Sequence, residues 1–197
     1  MTEFQTGRVL SLQVGRVAPL LVGGRQRMSA IGKTPLAGSV EVGVLGLTGD
    51  EQADLSVHGG LHKAVYALPA EHLPWWQAQR QLHGVALSEE ALVPGYLGEN
   101  LSLQGVREAD LFIGDSLRCS EVVLRVTQPR EPCGKFNAVM GYDQAAKDMV
   151  QSGRCGFYLA VDRPGVLQAG ATFEVVPGPR AMGVLQALQY KARRHLL

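Results

Sequence analysis

Residues 116–136 read SLRCSEVVLRVTQPREPCGKF. Residues 116–127 are dense in aliphatic and β-branched side chains and predict one long strand. Leu117 and Cys119 share one phase, while Val122, Leu124 and Val126 occupy the other. The alternation therefore slips near Ser120, which predicts a β-bulge there. The strand then runs into QPREPCGKF (128–136), where two prolines bracket Arg130 and the second immediately precedes Cys133. A sheet strand that ends in a stiff, proline-bounded cysteine is the centre from which the rest of the chain is read.

Working outward, further strands are predicted at 8–14, with Leu10, Leu12 and Val14 on one face, and at 39–45, with Val40, Val42 and Val44 together. Others fit 63–68, 156–161 and 172–176, with Gly23-Gly24, Pro164-Gly165 and Gly170 as turns. Helical spacing predicts a helix over 70–82, with Pro74 in its first turn and Leu73, Trp76 and Leu82 on its buried face. A short helix is predicted from Ser88, one over 143–151 with Asp143 as cap, and one over 182–196 with a basic last turn. The chain has 24 Gly and 10 Pro in 197 residues, which suits a turn-rich protein. The fold class expected is mainly β with helical insertions (α+β), a β-barrel over 1–180 followed by a C-terminal helix over 181–197.

Hydrophobic residues make up 46% of the chain and charged residues 19%, so a packed core is expected rather than disorder. The formal net charge is +1, so nothing global steers the chain to nucleic acid or an anionic membrane. No signal peptide and no transmembrane run is read, and three widely spaced cysteines suggest reduced thiols. A cytoplasmic protein without nucleic-acid or membrane partners is expected. No Walker loop, GxGxxG, GxSxG or HExxH occurs.

Around Cys133 the local chemistry is distinctive. Pro132 stiffens the approach, Gly134 removes bulk beside the sulfur, and Arg130 and Lys135 favour thiolate over thiol. Such a cysteine suits a soft metal or sulfur transfer. A small buried residue after a turn fits the same letters, since free cysteines are often buried. Residues 50–65, DEQADLSVHGGLHKAV, place His58, Gly59 and Gly60 before Lys63, a loop suited to an anion or equally to a plain turn. The glycines spoil a helical pairing of His58 with His62, which argues against zinc. Asn100 in GYLGENL (95–101) can donate and accept toward a heterocycle or simply close a turn. Lys33 in AIGKTPL reads as a phosphate ligand or a surface lysine.

Taken together, LGLTGDEQADLSVHGGLHKAVYALPAEH, PGYLGENL and QPREPCGKF occur in the order and context of the MOSC domain, and the chain resembles the bacterial branch named for resistance to 6-hydroxylaminopurine. The resemblance spans roughly residues 8–176. It implies a β-barrel that binds molybdenum cofactor, with Cys133 as the catalytic protein ligand to the metal. It further implies that Lys33, His58, Gly59, Gly60, Lys63, Arg130 and Lys135 hold the anionic cofactor and that Asn100 orients the pterin. Similar proteins reduce N-hydroxylated compounds with electrons from a separate reductase. Pyridoxal phosphate is not expected, because no desulfurase domain fits in this length. The chain has His62 where relatives commonly carry Asp, and its tail is shorter than theirs. The leading expectation is a molybdenum-cofactor oxidoreductase acting on N-hydroxylated small molecules. The alternatives are a carrier of the cofactor, or of sulfur on Cys133, and a barrel used for protein interaction. A homodimer is left open.

Overall fold

The computed structural model describes residues 4–53, 59–86 and 91–194. In chain order its strands are β1 (Thr6–Val14), β2 (Ala18–Val22), β3 (Arg25–Ser29), β4 (Thr34–Pro35), β5 (Ser39–Gly43), β6 (Gly46–Leu47) and β7 (Val65–Pro69). After helix α1 (Leu73–Leu82) come β8 (Leu101–Gln104), β9 (Ser116–Cys119) and β10 (Val122–Pro129). Helices α2 (Gly134–Met140) and α3 (Ala145–Ser152) precede β11 (Phe157–Arg163), β12 (Gly165–Gln168) and β13 (Thr172–Val176), and α4 (Val184–Arg194) follows.

The main sheet runs β13-β9-β10-β11-β7-β8-β1, and β13 pairs back onto β1, so seven strands close into a barrel. Neighbours are antiparallel except β7 and β8, which run parallel. Closure removes the sheet edges that an open sheet would leave unpaired.

Two cores explain why β7 and β11 read as continuous apolar runs. Val65, Ala67, Phe157 and Leu159 fill the barrel interior with Leu12, Leu101, Leu103, Leu117 and Leu124. Tyr66, Leu68 and Tyr158, one residue out of phase, face outward under the helices with Trp76, Phe136, Met140, Met149 and Leu188. A strand covered on both faces loses its polar alternation. In the outer core Trp76 and Phe136 meet edge to face, with ring centroids 5.2 Å apart.

The predicted barrel with inserted helices is present, and several local expectations change. Residues 116–127 are not one bulged strand. Ser120 and Glu121 are the two central residues of a tight β9–β10 hairpin in which Cys119 pairs with Val122, and Ser120 has φ 51°. A two-residue connection restores both phases to the core, and positive φ at its first position matches the twist of the strands. Register shifts do occur in β10 against β11, between Val123 and Leu124 and between Val126 and Gln128, and one in β1 between Val9 and Ser11 buries Val9 and Leu12 and leaves Leu10 exposed. β5 stops at Gly43, so Val44 is exposed. Along α1 the buried face runs Leu73, Trp76 and Arg80, and Leu82 projects into solvent, off that stripe. α3 starts at Ala145 rather than Asp143, and its Ala146 N–H donates to Asn137 Oδ1 at 2.8 Å, a cap borrowed from α2. The helix predicted from Ser88 lies mostly outside the described residues. Helix α2, at seven residues, is too short to show a helical periodicity in the sequence.

Among the described residues no helix is long and apolar enough to cross a membrane.

Candidate functional site

Strands β7 and β11 pair with Tyr66 opposite Tyr158, both facing outward from the barrel, close to the end where β1 stops and β7 and β8 begin. A cleft open to solvent lies over this flank of the barrel. Lys33, Gly59, Lys63, Asn100, Arg130, Cys133 and Lys135 all line it. Residues separated by up to 102 positions in sequence are thus neighbours. His58 lies outside the described residues. Gly60 is not on the cleft wall. It supports the wall instead: with φ 78° it starts the 3-10 turn Leu61–Lys63, its N–H donates to Gln52 Oε1 at 2.9 Å, and its carbonyl accepts the Lys63 N–H.

Cys133 sits where extended chain becomes helix. β10 finishes at Pro129, the Arg130 N–H donates to the Gly156 carbonyl, and Cys133 is the N-terminal boundary residue of α2 with φ −144°. The carbonyl of Cys133 accepts the Phe136 N–H, so the thiol is held by the first turn of that helix. Gly134 is not required by its backbone; a Cβ there would come within 3.8 Å of Val22. Of the three cysteines, Cys133 alone is half-buried, and Cys119 and Cys155 are fully buried. Their Sγ atoms face the Thr172 and Gly156 carbonyls, and burial pushes both thiols above the ordinary range.

Arg130 is 3% exposed and forms no ion pair with a carboxylate among the described residues. Its guanidinium lies 4.6 Å from the Phe136 ring and 5.8 Å from the Tyr66 ring, with Nη1 3.4 Å from Met149 Sδ. Aromatic faces and a thioether hold the group in place without cancelling its charge. It is the least neutralised buried cation of the site.

Lys33 is different. Its Nζ is 2.5 Å from Asp50 Oδ1, with both side chains 7% exposed. Burial lowers the Lys33 pKa, while Asp50 pulls it back up. The pair adds little net charge to the cleft. Asn100 is also engaged. Its Oδ1 accepts the Tyr66 N–H at 3.1 Å, and its Nδ2 donates to the Gln13 carbonyl and to Asp50 Oδ2 at 3.2 and 2.8 Å. The amide braces β1 against β7 and leaves little capacity for a ligand. Glu99 turns inward, accepting from the Gly95 and Leu97 amides and the Ser102 hydroxyl. Lys63 places its ammonium 5.6 Å from the Tyr158 ring, and Lys135 donates to the Met28 carbonyl at 2.8 Å.

Sequence reading missed Asp50, Tyr66 and Tyr158. The tyrosines sit on strands whose apolar runs hid which phase faces the site. Tyr66 donates its hydroxyl to the Cys155 carbonyl at 2.9 Å. Burial pushes Tyr158 up to about 12, against the pull of Arg130. Asp50 had no local signal, since its partner is 17 residues away. Among the described residues no three of His, Cys, Asp and Glu cluster to hold an ion. The cleft offers one thiol, four cations of which Lys33 is paired with Asp50, and phenols that keep their protons at neutral pH.

A model of the MOSC domain matches residues 54–174. The chain is 37% identical over 168 residues to the uncharacterized protein YflK of Bacillus subtilis, covering 85% of this chain and 72% of YflK. It is 36% identical over 148 residues to protein YiiM of Escherichia coli, covering 75% of this chain and 64% of YiiM. A protein of Gibberella moniliformis named a reductase is 32% identical over 178 residues, covering 88% of this chain and 30% of that protein. The crystal structure of YiiM from Geobacillus stearothermophilus superposes with a TM-score of 0.74 at 28% identity, covering 95% of this chain and 85% of that one. The barrel, the order of its motifs and these likenesses agree, and the chain belongs to the MOSC-domain family.

Proposed function

We propose that this cleft binds molybdenum cofactor with Cys133 as the protein ligand to the metal, and that the protein reduces N-hydroxylated small molecules. One observation carries the reading: the single half-buried thiol shares its cleft with Arg130, a buried cation with no carboxylate partner among the described residues. Such a charge is costly unless something anionic is received there.

The donor set fits the group. One thiolate and no further cluster of protein ligands suit a metal that arrives with most of its coordination supplied by an organic dithiolene. Arg130, Lys63 and Lys135 would face its negative charge, with Gly59 leaving the backbone open to approach. When bound, the group supplies two-electron, oxygen-atom chemistry. The overall change is R–NHOH plus two electrons and two protons giving R–NH₂ and water. Cys133 Sγ holds position at the start of α2, and Tyr158 keeps its proton toward the cleft. Electrons come from a separate reduced flavin or iron–sulfur protein. That a longer relative is named a reductase supports this reading.

The test is anaerobic loading with molybdenum cofactor, followed by metal analysis, pterin fluorescence and turnover of a hydroxylamine substrate driven by reduced methyl viologen. The wild type should retain stoichiometric molybdenum and reduce the substrate, and Cys133→Ala should lose both. Retention and turnover by Cys133→Ala would overturn the ligand assignment. Cofactor bound without turnover would make the protein a carrier.

A further inference from the structure

The hairpin of β2 and β3 pairs only within itself and turns at Gly23-Gly24, both at positive φ. Directly opposed residues of an antiparallel pair project to the same side. Ala18 with Ser29, Leu20 with Arg27, and Val22 with Arg25 therefore share one face. That face is turned toward the site. Val22 lies against Gly134, the residue after Cys133, and Ser29 is 7% exposed and lines the cleft. Arg27 and then Arg25 continue the face outward from Ser29, in steps of about 7 Å for every two residues. Leu21 and Met28 project from the opposite side. The root of the hairpin is fixed beside the cleft, because Lys135 donates to the Met28 carbonyl at 2.8 Å.

Charge along this rim has one sign. No Asp or Glu occurs between Arg16 and Val40, or between Pro132 and Tyr142. The carboxylates on the cleft wall are engaged elsewhere: Asp50 holds Lys33, and Glu51 accepts the Val17 N–H at 2.6 Å and pairs with Arg16. Arg25 and Arg27 are exposed and form no ion pair among the described residues. Half-buried Leu20 and Val22 stand opposite them and give their aliphatic stems a surface to lie on. Two guanidinium forks two residues apart on one strand face suit the oxygens of a phosphate ester or diphosphate, which arginine binds bidentately.

We propose that Arg25 and Arg27 form a phosphate subsite on the rim of the cleft, and that the N-hydroxylated substrate carries a phosphate ester or diphosphate received there while its hydroxylamine reaches toward Cys133. The proposal rests on the reductive reading of the cleft. In that reading Arg130, Lys63 and Lys135 already face the charge of the cofactor. Arg25 and Arg27 lie beyond that set, in solvent, where a substrate arrives. The phosphate adds affinity and orientation, and no bond to phosphorus forms or breaks.

The first probes are cytidine 5′-diphosphate and cytidine, which differ only in phosphate. Backbone amide and arginine Nε–Hε shifts of the isotopically labelled protein, as purified, are followed during titration with each. Shifts at Arg25 and Arg27 with the diphosphate, weakened by salt and absent with cytidine, support the proposal. Their absence, equal shifts with cytidine, or shifts from a single-stranded oligonucleotide and not from the diphosphate overturn it. Loaded protein is then given N4-hydroxycytidine or its 5′-diphosphate, with reduced methyl viologen as donor. The diphosphate should be favoured in kcat/KM about ten-fold or more, mainly through KM. Arg25→Ala with Arg27→Ala should bring that ratio close to one, and Arg25→Lys with Arg27→Lys should keep part of it. A wild-type ratio near one, or a ratio retained by the alanine variant, overturns the proposal. A lower molybdenum content in the alanine variant would assign the phosphate to the cofactor and overturns it too. Turnover of neither compound overturns the reductive reading and with it the substrate assignment, while the shift titration separately decides the phosphate subsite.

Discussion

Lys33 Nζ and Asp50 Oδ1 lie 2.5 Å apart, both buried, and the same carboxylate also receives the Gly15 N–H and the Asn100 amide. Asp50 therefore gathers three donors from three separate segments at the barrel mouth. Replacing Asp50 with Ala leaves a buried ammonium and two polar groups without their acceptor. The expected cost is about 3–5 kcal/mol of unfolding free energy, read by urea denaturation. Adding Lys33→Met should recover much of the loss, because it removes the stranded charge. Equal stability of the single and double variants would contradict this account.

Arg130 is expected to trade stability for binding. Desolvating its guanidinium costs several kcal/mol, and the Phe136 and Tyr66 faces return about 2 kcal/mol. Arg130→Met should unfold at the same or higher denaturant, with a gain of up to about 2 kcal/mol. Its molybdenum content after loading should fall. A variant that is markedly less stable, with cofactor retained, would make Arg130 a structural residue.

Glu99 sets a pH dependence. Burial raises its carboxyl above the usual range, although the Gly95 amide, the Ser102 hydroxyl and the Leu97 amide favour the charged form. The folded protein then holds this proton more tightly than the unfolded chain. Its contribution to stability is full below the ordinary carboxyl value of 4.5 and is lost as pH rises through the folded value. Glu99→Gln cannot ionise and lacks that slope. The stability difference between wild type and variant should shrink as pH rises from 4.5 toward neutrality, measured by urea unfolding across a pH series. A difference independent of pH would place the Glu99 pKa at its ordinary value.

Thiol labelling separates the three cysteines. Iodoacetamide at neutral pH should modify Cys133 first, identified by peptide mass mapping. Cys119 and Cys155 are fully buried, so they should react through local opening, roughly a hundred-fold more slowly or less. Rapid labelling of Cys155 would show that the outer core opens readily.

Much of the fold was legible in advance. Apolar patterning marked most of the barrel strands, by alternation in some and by continuous runs in β7 and β11, but not the short β8, and glycines and prolines marked many turns. The failures were local. The slip at Ser120 looked like a bulge because a phase change and a two-residue hairpin leave the same trace in one dimension. Leu82 fits helical spacing loosely, but the stripe through Trp76 leads to Arg80. At the site, Cys133 stood out through its prolines and its charged neighbours, whereas Asp50, Tyr66 and Tyr158 did not.

By itself the sequence determined the strand periods, the stiff PREPC approach to Cys133 and the three motifs that identify the family. Those depend on local conformation and chain order, which spacing encodes directly. Only the tertiary structure decided what each polar group is occupied with. Barrel closure brings Asp50 to Lys33 and Asn100 to Gln13, so two residues read as ligands are largely satisfied by the protein. It also leaves Arg130 beside Cys133 without a carboxylate among the described residues. Electrostatic partners are chosen by proximity in space, and no spacing rule reports which distant residues a closed barrel places together.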